Sequence, residues 1–184
     1  MLQNINNQLF IFKNKINMIK IFCSTKVSTL IGIKVKSEVN DTISGNWNVH
    51  LFLLNRKKCL LFIHKETLFC TAVYGIVKKD YPNLNTLFVN SLVKQLYVQE
   101  ILTETQEQIL RDAYKDVTFF TTDNDRKVIG FLNDCIARLK HHKSDEAGVE
   151  FYIKNYMNQN PWATLGFRNS KVEMKKYIIE NFLK

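Results

Sequence analysis

The chain has 184 residues, 46% of them hydrophobic, and 26 lysines and arginines against 17 acids give a net charge of +9. That length suits one domain with a genuine core, and two prolines with six glycines argue against long disordered linkers. No apolar run nears the roughly 20 residues of a membrane span. The scattered cysteines exclude a disulfide frame, and the basic surplus favours an acidic partner over a neutral one.

Residues 1–17 are asparagine-rich, with a short apolar patch at 9–12 and no small-residue cleavage site. They are expected to be a leader or upstream extension outside the fold, with Met18 as the working start. A strand is expected over 19–24, then a short helix over 26–32 ended by Gly32. A polar connection over 34–45 closes on the turn pair Ser44-Gly45. Residues 47–54 are aromatic and branched, as a strand requires. Asn55-Arg56-Lys57-Lys58 makes a polar hairpin loop, 59–63 returns, and 67–77 gives a third strand. Tight turns between these runs force antiparallel pairing, because parallel pairing needs a crossover of a dozen residues or so.

Lys78–Pro82 breaks the pattern. Helices follow over 83–100 and 103–114, the second opened by Thr103 and Gln106 at capping-box spacing. A short strand over 116–122 leads to a helix over 125–142. Helices over 145–158 and 171–183 flank a turn-rich stretch, with Asn169 or Ser170 as the cap of the last one. The order of elements indicates an α+β fold: a mainly antiparallel sheet (meander), helices packed on one face, and a helical C-terminal extension. The expected division is a domain over 18–143 and the extension over 144–184.

The stretch TTDNDRKVIGFLNDCIARLKHH over 121–142 holds the densest polar chemistry. On a 100° wheel Val128, Ile129, Leu132, Cys135, Ile136 and Leu139 share the core face, with Phe131 at its edge. Gly130, Asn133 and Ala137 form a small-residue strip that would let a backbone or ligand approach, and Asp134 flanks it. Thr121 to Arg126 can cap the helix, since Asp and Asn accept from its first N–H groups. The functional alternative is an enzyme site using Asp123, Asp125, Arg126, Asn133 and Asp134, with a divalent cation for phosphodiester chemistry.

Arg56, Lys57 and Lys58 at the hairpin, Lys78-Lys79, and Lys140 with Lys143 are the basic clusters. Phosphate contacts need only such side chains within reach. His50 and His64 lie on adjacent strands as possible neighbours, but no metal-ligand set accompanies them. Cys59, Cys70 and Cys135 fall in apolar runs, which reads as reduced core thiols and a cytoplasmic protein. No phosphate-binding glycine loop or nucleophile elbow is present. Neither metal nor cofactor is called for.

The runs MIKIFCSTKVSTLIG, GNWNVHLFLLNRKKCLLFIHKETLF, KKD and NDRKVIGFLND together resemble a family of small bacterial proteins, the domain of unknown function numbered six thousand nine hundred thirty-three. That family's pattern is an opening strand with Cys-Thr-Lys, a Trp strand, an Arg-Lys-Cys hairpin, a Thr-Leu strand and a closing Gly-Ser-Met-Asn-Asp. Here these stand as Cys23 to Lys26, Trp47, Arg56 to Cys59, Thr67-Leu68 and Gly130 to Asp134. Ser24 is inserted, and Phe131-Leu132 replaces Ser-Met. The resemblance runs over about 18–140. It implies a shared fold and a start at Met18, and it carries no activity. Two function classes follow: a module binding nucleic acid or an acidic protein, or the enzyme just described.

Overall fold

The structure, a computed structural model, describes residues 19–34, 45–142 and 145–183. The expected leader, the start at Met18 and Lys143 lie outside the described residues. Strand β1 (Ile19–Cys23) leads into helix α1 (Thr25–Ile31), which stops at Gly32 in the left-handed conformation, φ 74°. Strands β2 (Trp47–Leu54), β3 (Lys57–His64) and β4 (Cys70–Ile76) form the expected antiparallel meander. The third strand starts later than its sequence suggests. Leu68 adopts φ 54° and its N–H donates to the carbonyl of His64, so Thr67 and Leu68 belong to the turn.

Helices α2 (Leu84–Val98) and α3 (Glu104–Ala113) carry the chain to strand β5 (Val117–Thr121). Helix α4 (Arg126–His141) follows, capped by Asp125, whose carboxylate accepts from Val128 N at 3.2 Å. The expected helix over 145–158 is α-helical only over α5 (Glu146–Tyr152) and widens into a π turn over Ile153–Met157. A small hairpin of β6 (Pro161–Trp162) and β7 (Arg168–Asn169) precedes α6 (Ser170–Phe182), which Asn169 caps.

The five strands run in the order β4-β3-β2-β1-β5, with β1 parallel to both β2 and β5. The fold is α+β around a mostly antiparallel sheet, with a C-terminal helix. Helices cover both faces of the sheet, where one covered face was expected. Trp47, Val49, Leu60 and Phe62 pack with α2, α3 and α6 on one side. Phe52, Cys59, Leu61 and Ile63 pack with α4 and α5 on the other. The reason lies in β3 itself: Cys59 to Ile63 is a continuous apolar run, so both faces of the strand demand cover.

Candidate functional site

The β2–β3 turn is tight. Leu54 pairs with Lys57, and Asn55 and Arg56 between them both have positive φ, 49° and 63°. Two left-handed residues in a two-residue loop match the twist of the flanking strands. Asn tolerates the first position, but glycine is the residue that suits the second. Arg56 therefore holds a conformation costing roughly 1–2 kcal/mol for a side chain with a Cβ.

Around this apex the pleat sends Lys57 and Lys58 to opposite faces. The Lys57 ammonium sits 5.1 Å from the centre of the Tyr74 ring on one face. On the other, Lys58 donates to the Tyr81 hydroxyl at 3.2 Å. Lys58 also pairs with Ile76 at the end of β4, so exposed Lys78 and Lys79 follow directly at the same end of the sheet. Among the described residues none of these cations lies in an ion pair. Asp80, an acid beside Lys79, accepts from Val77 N at 2.8 Å. Arg56, Lys57 and Lys58 were among the sequence candidates and Tyr74 and Tyr81 were not, because the β3–β4 pairing and the turn after β4 bring the two rings alongside. Lys140 is exposed in the last turn of α4.

The acids before α4 assemble differently. Asp123 Oδ1 accepts from Asn48 Nδ2 at 3.1 Å and from Asp125 N at 3.3 Å. Its other oxygen pairs with the Lys65 ammonium, which also lies 3.3 Å from Asp125. Burial opposes ionisation of Asp123, but the hydrogen bonds from Lys65 and Asn48 outweigh it and hold the carboxyl below its ordinary value. Burial likewise opposes the Lys65 charge, and Asp123 with Asp125 overcomes it and holds the ammonium above its ordinary value. One ammonium thus already stands between the two carboxylates. Asn48 and Lys65 were not among the sequence candidates, because one sits in a strand and the other reads as a turn residue.

The remaining candidates do not join that cluster. Arg126 is exposed at the first turn of α4. Gly130, Asn133 and Ala137 face away from the sheet, and a Cβ at Gly130 would meet open space. On the wheel this strip centres opposite the buried arc of Val128, Phe131, Leu132, Cys135, Ile136 and Leu139, so it faces away from the core that these residues join. Asp134 pairs with Arg138 one turn on, at 2.9 Å.

His50 and His64 are not neighbours. His50 pairs with Leu61 and His64 with Trp47, which places the two rings on opposite faces. His64 is fully buried, 5.1 Å from the Trp47 ring and 4.5 Å from that of Tyr177, and burial pushes its pKa down to about 3. The four cysteines are buried and unpaired, and burial pushes the Cys23 thiol up to about 12 and raises Cys59 and Cys70. Neutral buried thiols are poor nucleophiles. Among the described residues no three His, Cys, Asp or Glu side chains are grouped to hold a metal ion, and no helix is long and apolar enough to cross a membrane.

No curated protein and no solved structure matches the chain. The family match covers residues 20–174, reaching past α4 to take in α5 and the start of α6. With its meander, its Arg56–Cys59 hairpin and its closing helix inside that span, the chain belongs to the family described as Domain of unknown function (DUF6933).

Proposed function

We propose that the protein is a nucleic-acid-binding module of the bacterial cytoplasm that lays its ligand across the hairpin end of the sheet. Arg56, Lys57, Lys58, Lys78 and Lys79 contact phosphates, and the Tyr74 and Tyr81 rings flank them. The observation that carries this reading is Arg56. An arginine occupies a left-handed position that glycine would fill without strain, at the apex of a turn beside cations that make no ion pair among the described residues. Strain of this kind persists where a function needs the side chain. The acids of the competing enzyme reading are already engaged with Lys65, Asn48 and the first turn of α4.

The test is binding of the full chain to short single- and double-stranded DNA and RNA across a salt series. Affinity should fall linearly in log–log with salt, by a slope of about 0.9 for each phosphate engaged on a duplex. The triple variant R56E/K57E/K58E should bind far more weakly and with a flatter slope. Unchanged affinity in that variant, or binding to an acidic protein with none to nucleic acid, overturns the reading.

A further inference from the structure

At β1 the chain changes direction across the sheet. β1 lies between β2 and β5 and runs parallel to both. The segment leaving β1 forms α1, whose Val27 joins the core on one face. The segment leaving β5 forms α4, whose Val128 and Leu132 join the core on the other. Adjacent parallel strands whose connections diverge to opposite faces leave a crevice outside their carboxyl ends, the place where open sheets of this kind bind ligands.

A cavity of about 360 Å³ lies at that point. Its walls include Thr25, Ser28 and Thr29 of α1, Lys34 beyond it, and Thr121 and Thr122 at the end of β5. The volume falls within the range of small-molecule sites, about 300–1,000 Å³. Among the described residues the donors are hydroxyls and one ammonium, and no carboxylate lines the space. Asp123, the next residue along, turns away to Asn48 and Lys65. Ser28 Oγ donates to the carbonyl of Cys23 at 3.4 Å, and Thr122 Oγ1 accepts from Asn124 N at 3.1 Å, which leaves the Thr122 hydroxyl proton to donate. Thr25, Thr29 and Thr121 make no side-chain hydrogen bond among the described residues, and Lys34 no ion pair. Ile33 and the threonine methyls give the cavity a largely carbon wall.

We infer that this crevice binds a small organic anion, with its phosphate or carboxylate on Lys34 and the threonine hydroxyls and its body against Ile33. The site uses none of the residues assigned to nucleic acid, so it stands or falls independently of that reading. The experiment is an NMR titration of the full chain, labelled with ¹⁵N-threonine, using adenosine monophosphate, hexanoate and uncharged adenosine. Saturable shifts at Thr25, Thr29 and Thr121 with either anion, and weaker ones with adenosine, are expected. Lys34→Glu should weaken binding about tenfold or more, the scale of one lost charge-assisted contact. Thr121→Val, which keeps the shape and removes a donor, should weaken it by a smaller factor, and R56E/K57E/K58E should leave it unchanged. A phosphate preference identifies a phosphorylated ligand and a hexanoate preference a carboxylate one. No shifts up to millimolar ligand, shifts confined to residues near the hairpin, or adenosine binding as tightly as its monophosphate would each overturn the assignment.

Discussion

Asn158 makes both hydrogen bonds to the backbone of Cys70: its Oδ1 accepts from Cys70 N at 2.8 Å and its Nδ2 donates to Cys70 O at 2.9 Å. One side-chain amide thereby stands in for a strand at the outer edge of β4, where an unpaired edge would invite association. Its own carbonyl accepts from Lys171 N at 2.8 Å, so the same residue ties the sheet to the start of α6.

Asn158→Ala should therefore strip two backbone groups of their partners in a site with no solvent exposure. Each buried group left unpaired costs about 1–3 kcal/mol, so a loss of about 2–4 kcal/mol is expected in urea unfolding. Asn158→Asp should do no better, since a carboxylate cannot donate to Cys70 O and would be buried as an ion. A loss under about 0.5 kcal/mol, the usual range for surface changes, would show that the amide pairing contributes little.

His64 sets an acid limit on stability. Thr67 N donates to His64 Nδ1 at 3.3 Å, which requires an unprotonated ring nitrogen there, and Nε2 has no hydrogen-bond partner among the described residues. Burial lowers the folded pKa from 6.5 to about 3. Above 6.5 neither state binds the proton and the stabilisation is complete. Between 6.5 and 3 the unfolded chain takes up a proton that the folded chain refuses. Stability should then fall by up to about 1.4 kcal/mol per pH unit as acid is added. Urea midpoints at pH 7.5, 6 and 5 measure it, and His64→Gln should flatten the profile over that window. An equal slope in the variant would place the acid sensitivity elsewhere.

Strongly periodic segments were legible before the structure. β2 falls on 47–54 as expected, and the core arc of α4 is the one its wheel indicates, except that Ile129 is only half-buried. The second covered face was also written in the chain, in the unbroken apolar run of β3, but the order of elements alone suggested helices on one face. The polar site was harder. Asp123 and Asp125 were visible as acids at a helix start, whereas Asn48 and Lys65 reach them only because β2 and β3 pair and α4 crosses above. The small-residue strip had the pattern of a close approach and faces solvent instead. Period alone tells which residues share a face, and the breadth of the apolar arc tells which face is buried.

Lys65 and Asp123 should behave as a coupled pair. The side chains are 25% and 15% exposed, enough burial for the charges to matter and enough water to limit the cost of burying them. A double-mutant cycle with Lys65→Met and Asp123→Asn should give a coupling of about 0.5–3 kcal/mol. The depressed Asp123 pKa gives stability that is present above the unfolded carboxyl value and is lost as pH falls through the folded one. That loss begins only at the ordinary carboxyl value of 3.8, so the upper part of the His64 window, between pH 6.5 and about 5, is read without it. A coupling of zero would mean that water serves each charge as well as its partner does.

Arg56 offers a sharper test of the nucleic-acid reading, because stability and binding should move in opposite directions. Glycine at this position keeps the φ of 63° without a Cβ clash, so Arg56→Gly should stabilise the fold by about 1 kcal/mol. For a domain of this size that is about 2–4 °C in Tm. The same change removes the apex cation, so nucleic-acid affinity should drop and its salt slope should flatten by about one unit. Arg56→Lys should retain the charge and the strain, leaving Tm near the wild type and the salt slope intact. It should lose affinity only where the guanidinium grips a phosphate with two hydrogen bonds. A more stable glycine variant that binds as well as the wild type would leave the strained arginine without the role assigned to it. A less stable one would mean that the long Arg56 side chain holds the turn together.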